Sequence, residues 1–97
     1  MQLNLIGRHI EITPALKSFV DEKLIPLEKR YSHINTINIT LQVEHLTHIA
    51  EGTIHLNGTE IHATAKDTDM YKAIELLIEK LLGQVTKHKE KVIEHHR

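Results

Sequence analysis

The sequence has no cysteine and no tryptophan, and its 97 residues include one phenylalanine, two prolines and four glycines. Without cysteine there is no disulfide framework, no thiolate ligand for zinc and no thiol nucleophile. One Phe and two Tyr leave little from which to build a platform for stacking exposed bases. No apolar run approaches the roughly 18 residues that a membrane-spanning helix needs. The chain opens on the strand-like Met1-Gln2-Leu3-Asn4-Leu5-Ile6, so we expect no signal peptide and a cytoplasmic protein with no membrane partner. Gly-rich phosphate loops, Walker sequences and nucleophile elbows are absent too, and the motifs give no support for an enzyme. Nor is there an overall excess of one charge: 12 Lys and Arg stand against 13 Asp and Glu, a formal net of −1.

What is present is enough for one core. Hydrophobic residues make up 40% of the chain, and a chain of this length supports a single core, so residues 1–97 are expected to form a single domain. No repeat, low-complexity segment or linker interrupts it. Residues 2–6 read as a first strand with Leu3 and Leu5 on one face, and residues 7–12 as a connector. Thr13-Pro14 reads as a helix start, a capping hydroxyl followed by a proline whose missing N–H costs nothing there. Leu16, Val20, Leu24, Leu27 and Tyr31 then recur at spacings of three and four, the period of an amphipathic helix. Pro26 lies inside that helix and predicts a kink or loosened turn near residues 22–25.

Three alternating segments follow. Ile37, Ile39, Leu41 and Val43 form one apolar face, Ala50, Gly52, Ile54 and Leu56 the next, and Ile61, Ala63 and Ala65 the third. Each strand is apolar on one side only, as in a sheet that is covered on one face and wet on the other. Asn57-Gly58 predicts a type I′ hairpin turn. A long helix is expected over residues 69–94, with Asp67 and Thr68 as candidate caps and Met70, Ile74, Leu77, Ile78, Leu81, Val85 and Val92 as its apolar stripe. Gly83 in its interior weakens it by roughly 1 kcal/mol relative to Ala. The fold class is therefore α+β, in the order β-α-β-β-β-α: a four-stranded sheet with both helices packed on one face. A right-handed crossover sets the first two strands parallel.

The near-zero net charge hides an asymmetry. Residues 80–97 carry five cations and two carboxylates, net +3, whereas residues 1–79 carry seven cations and eleven carboxylates, net −4. On a helical wheel Gln84, Lys87 and Lys91 fall within about 40° of Lys80, a narrow stripe bordering the apolar face. On the first helix, Lys23 and Arg30 stand one above the other beside its apolar stripe, with Lys17 and Lys29 further round. Helices lying side by side would then flank a groove lined by Lys and Arg, suited to a row of phosphates rather than to one base. The alternative is that these lysines are a solvated helix flank whose stems cover apolar surface.

Nine histidines raise the question of a metal. His45 and His48 sit near a hairpin, His55 and His62 read as cross-strand neighbours, and His95-His96 is a tail pair. None has the helical i, i+4 pairing with a carboxylate of a hydrolytic zinc site, and no metal or other cofactor is expected. Glu51 and Glu60 read as two carboxylates facing solvent across a hairpin, with nothing catalytic about them.

Four segments carry a resemblance. Gly7-Arg8-His9-Ile10-Glu11-Ile12-Thr13-Pro14-Ala15-Leu16, Asn57-Gly58-Thr59-Glu60-Ile61-His62-Ala63, Asp69-Met70-Tyr71-Lys72-Ala73-Ile74 and Lys80-Leu81 with Gln84-Val85-Thr86-Lys87-His88-Lys89 resemble, in order along the whole chain, the bacterial hibernation-promoting factor family. That family includes the ribosome-associated inhibitor called protein Y. The resemblance implies a fold like a double-stranded-RNA-binding domain with an added first strand. It further implies a site on the small ribosomal subunit and its 16S rRNA, in the path of messenger RNA and transfer RNA. Carried onto this chain, its RNA-contacting residues are Lys17, Lys23 and Lys29 of the first helix and Lys80, Lys87 and Lys91 of the second. With Arg30 and Gln84 from the wheel, these are the candidate site.

The sequence is similar to the short members, so we expect neither the dimer-forming C-terminal domain of the long ones nor the acidic tail of the protein Y branch. Short members help pair idle ribosomes alongside a separate ribosome modulation factor, in stationary phase or stress. Two residues depart from the family pattern: Pro26 stands where a basic residue is usual, and Gly83 where Arg is frequent. We therefore expect a non-catalytic protein, monomeric in solution, that binds whole ribosomes and blocks translation. A structured-RNA-binding domain acting in ribosome assembly and a small metal-dependent hydrolase are the alternatives.

Overall fold

A computed structural model describes the backbone of residues 1–95 and the side chains of residues 1–88. The elements are β1 (Gln2–Gly7), α1 (Pro14–Arg30), β2 (Thr36–Glu44), β3 (Thr47–Leu56), β4 (Thr59–Asp67) and α2 (Met70–His95). The expected β-α-β-β-β-α order is the observed one, with boundaries displaced by a residue except in β3, which begins three residues before the expected Ala50. The sheet runs β1-β2-β3-β4. β1 and β2 are parallel, Leu3 opposite Ile37 and Leu5 opposite Ile39, as the helical crossover requires. The remaining pairs are antiparallel, with Ile39 opposite Gly52 and Gly52 opposite Ala63.

Alternation decides the core. Ile37, Ile39 and Leu41 of β2, Ala50, Ile54 and Leu56 of β3 and Ile61, Ala63 and Ala65 of β4 are all buried beneath the helices. They meet Val20, Leu24, Leu27 and Tyr31 of α1 and its C-cap, and Met70, Ala73, Ile74, Leu77, Ile78, Leu81 and Val85 of α2. The other face keeps Asn38, Glu51, Thr53, His55, Glu60 and His62 partly or fully exposed. Gly52 sits in the middle of the covered face, where a Cβ would lie 2.9 Å from Leu81 Cδ1 and 3.2 Å from Leu77 Cδ2. The missing side chain is what lets α2 approach the sheet there.

Thr13 caps α1, its Oγ1 accepting from the Leu16 amide at 3.1 Å, with Pro14 at the first helical position. The kink or loosened turn expected near residues 22–25 does not end the helix: α1 runs from Pro14 to Arg30 with Pro26 inside it. Leu24 and Leu27, buried on either side of Pro26, hold the turn in place despite the lost hydrogen bond. The cap of α2 is Asp69 rather than Asp67 or Thr68. Asp69 Oδ1 accepts from the Tyr71 amide at 2.9 Å, while Asp67 Oδ1 accepts from the Asp69 amide at 3.0 Å. Asp67 is still in β4, opposite His48, so it braces the cap instead of forming it. The Asn57-Gly58 turn is not type I′. Gly58 has φ +71°, but Asn57 is not among the residues with positive φ, which is the pattern of a type II turn.

Among the described residues nothing lies within 4 Å of where a Cβ on Gly83 would be. Gly83→Ala is therefore expected to stabilise the fold by about 0.5–1 kcal/mol through helix propensity and reduced unfolded-state entropy. Urea unfolding of the two proteins checks this as a higher midpoint at unchanged slope.

Candidate nucleic-acid interface

α1 and α2 lie side by side and run in the same direction. At one end the Phe19 and Tyr71 rings meet edge to face, their centroids 4.9 Å apart. At the other, the hydroxyls of Tyr31 and Thr86 are 2.6 Å apart. Thr86 spends its proton on the Leu82 carbonyl at 2.8 Å, so Tyr31 is the donor to Thr86. These contacts fix which flank of each helix faces the other.

That orientation separates the candidate cations. The groove between the helices is lined by Lys23, Pro26 and Leu27 of α1 and by Glu75, Ile78, Glu79 and Leu82 of α2. Lys23 stands at its rim, with Nζ 5.4 Å from the centre of the Phe19 ring. Lys80 and Gln84 lie on the opposite flank of α2, over the outer strand. There Lys80 Nζ donates to the Thr64 carbonyl at 2.7 Å and Gln84 Nε2 to the His62 carbonyl at 3.0 Å. The expected single groove lined by Lys and Arg from both helices is therefore not formed. The wheel placed the stripe correctly beside the core of α2, but that core has two borders, and α1 takes the one bearing Glu75 and Glu79.

What the fold presents instead is two basic ridges. On α1, Lys23 and Arg30 follow the flank toward α2, and Lys29 and Arg30 close the last turn, where cations offset the negative end of the helix dipole. On α2, Lys87 continues the line of Lys80 and Gln84, about 10 Å along the axis from Lys80. Lys23, Lys29, Arg30, Lys80, Gln84 and Lys87 are all exposed. Lys17 is exposed as well, but it faces the β1 side and lies 3.7 Å from Asp21, an i, i+4 ion pair. The Lys91 side chain lies outside the described residues. The chain thus offers spaced cations on a rigid two-helix frame, with acidic Glu75 and Glu79 between them.

Sequence reasoning missed the backbone partners of Lys80 and Gln84. The available signal was a Lys beside the core stripe of a helix that follows the last strand, since lysines commonly guard sheet edges. The histidines do not converge. His55 stands opposite Glu60 and His62 opposite Thr53, so the two rings are diagonal rather than direct neighbours. His55 Nδ1 is 3.5 Å from Glu60 and His62 Nε2 is 3.9 Å from Glu51. Glu51 and Glu60 accordingly face a histidine each, not one another. Among the described residues no group of three or more His, Asp or Glu is placed to hold a metal ion, and no helix is long and apolar enough to cross a membrane.

The profile of the family described as "Sigma 54 modulation protein / S30EA ribosomal protein" matches residues 3–93. The chain belongs to this family. Its S30EA relatives include proteins named ribosome hibernation promoting factor from Salmonella typhimurium and Escherichia coli. Each is 50% identical over 95 residues, covering 98% of this chain and 100% of theirs. Solved structures of S30EA-type proteins share the fold. A ribosomal subunit interface protein from Coxiella burnetii is 32% identical with a TM-score of 0.85, covering 93% of this chain and 99% of that one. The N-terminal domain of protein Y from Thermus thermophilus is 31% identical with a TM-score of 0.82, covering 91% and 99%.

Proposed function

We propose that this protein is a ribosome hibernation factor, non-catalytic and cytoplasmic. It binds the small ribosomal subunit in the channel that carries messenger RNA and transfer RNA, and so blocks translation. The observation that carries this reading is the pair of exposed basic ridges on a chain half identical, end to end, to hibernation promoting factors. Phosphates of 16S rRNA are the ligands such ridges suit, because exposed lysines and arginines neutralise backbone charge without reading bases. Lys23, Lys29 and Arg30 act from α1, with Lys17 at its start. Lys80, Gln84 and Lys87 act from α2, with Lys91 beyond them. The protein works as a monomer, and pairing of inactive ribosomes follows with ribosome modulation factor.

Co-sedimentation tests this. The protein is expected to travel with mature small subunits and whole ribosomes and to lower the yield of an in vitro translation reaction. Binding confined to immature particles would favour a role in assembly instead.

A residue-level prediction follows from the two borders of α2. Lys87 continues the ridge, whereas Lys72 faces solvent beside Asp67, Glu75, Leu76 and Glu79. Lys87→Ala is expected to raise the Kd for small subunits about tenfold, as loss of a charge-assisted phosphate contact does. Lys72→Ala is expected to stay within about twofold of wild type, because a distant exposed charge is screened. Titration of the two variants, each checked for folding by circular dichroism, decides it; equal losses contradict the ridge.

A further inference from the structure

α2 crosses the outer strand so that two side chains one turn apart meet two carbonyls two residues apart. Lys80 reaches the Thr64 carbonyl at 2.7 Å and Gln84 the His62 carbonyl at 3.0 Å. The spacings match, since four residues of helix rise about 6 Å and two residues of strand about 6.8 Å. Among the described residues β4 has a neighbouring strand on one side only, β3. In an antiparallel strand the N–H and C=O of one residue point the same way, and successive residues alternate. His62 and Thr64 therefore present their backbone groups outward, and so do Glu60 and Lys66.

An outward row of this kind is a template for another strand, and this one is complementary to itself. Set antiparallel to a second copy about Ala63, β4 places His62 opposite Thr64 of the second copy and Glu60 opposite Lys66 of the second copy, each twice. Two opposite-charge cross-strand pairs favour that register. Its hydrogen bonds would use the His62 and Thr64 carbonyls, the two that α2 already holds. We propose that Lys80 and Gln84 form a clasp that keeps this chain from pairing with a second copy of itself along β4. Released from the clasp, the edge joins two chains through one continuous sheet. The clasp is a property of the free protein and is read without ribosomes, so it stands apart from the proposed function.

Sedimentation velocity of the full chain from about 10 μM to about 1 mM tests this. Lys80→Met combined with Gln84→Met keeps two long helix-favouring side chains and removes both donors. Wild type is expected to sediment as one chain throughout, and the double variant to move toward two chains with self-association at least about tenfold tighter. Adding Lys66→Glu, which sets glutamates against each other in the paired register, is expected to restore the single chain. A double variant that is folded and monomeric overturns the proposal, as does a dimer that survives Lys66→Glu. If the double variant does not fold, Gln84→Met alone is read the same way: tighter self-association supports the clasp, and wild-type behaviour overturns it.

Discussion

Raising the salt from about 50 to about 300 mM is expected to weaken binding to small ribosomal subunits by about three decades. The estimate comes from counting cations that are exposed and free to meet phosphate. Lys23, Lys29, Arg30, Lys80 and Lys87 are exposed, and among the described residues none of them is in an ion pair, whereas Lys17 is held by Asp21. If these five each neutralise one phosphate, counterion release gives a slope of about 0.7–0.9 per contact in log Kd against log salt. A sixfold change in salt then moves Kd by about 500- to 3,000-fold. Lys80 must leave the Thr64 carbonyl to contribute, so if the clasp persists on the ribosome four contacts remain and the change falls to about 150- to 600-fold. Filter-binding or sedimentation titrations across the salt series supply the slope. A Kd that barely moves would show that the contact is not made by these ridges.

Leu81→Ala is expected to destabilise the fold by about 2–5 kcal/mol, the usual range for truncating a buried leucine. Leu81 is completely buried and stands over Gly52, where its Cδ1 would be 2.9 Å from an added Cβ. For the same reason Gly52→Ala alone is expected to cost about 1–3 kcal/mol by overpacking. The two changes should not add. Truncating Leu81 vacates the space that the Gly52 Cβ needs, so in the Leu81→Ala protein the second substitution should be nearly neutral or restore part of the loss. A double-mutant cycle by urea unfolding measures the coupling, expected at about 1–3 kcal/mol in favour of the pair. Strict additivity would mean that α2 does not sit over Gly52 as described.

The strands were legible because each has a single apolar face: Ile37, Ile39 and Leu41, or Ile61, Ala63 and Ala65, leave no doubt about period or side. The parallel pairing of β1 and β2 followed from chirality alone. Turn and cap details were less legible. Asp67, Thr68 and Asp69 are all capping types, and the choice among them depends on the β4 ladder extending to Asp67 opposite His48. Asn57 tolerates positive φ without being obliged to adopt it, and Gly58 alone does so. For the candidate site, the residue types and the line of Lys80, Gln84 and Lys87 could be read directly. Their surroundings could not, because a wheel gives an angle from the core and not the identity of the neighbour across each border. Only the tertiary contacts Phe19–Tyr71 and Tyr31–Thr86 assign α1 to the Glu75 and Glu79 side and β4 to the Lys80 side.

A protein that occupies the path of messenger RNA and transfer RNA, as proposed, must compete with both. The Kd of the protein for small subunits is measured with the subunits empty and again after saturation with a messenger fragment and its cognate transfer RNA. If both ligands share the channel with the two basic ridges, binding is expected to be lost, with an apparent Kd that rises as the inverse of the fraction of subunits left empty. An unchanged Kd on fully occupied subunits would contradict the account and place the protein elsewhere on the ribosome.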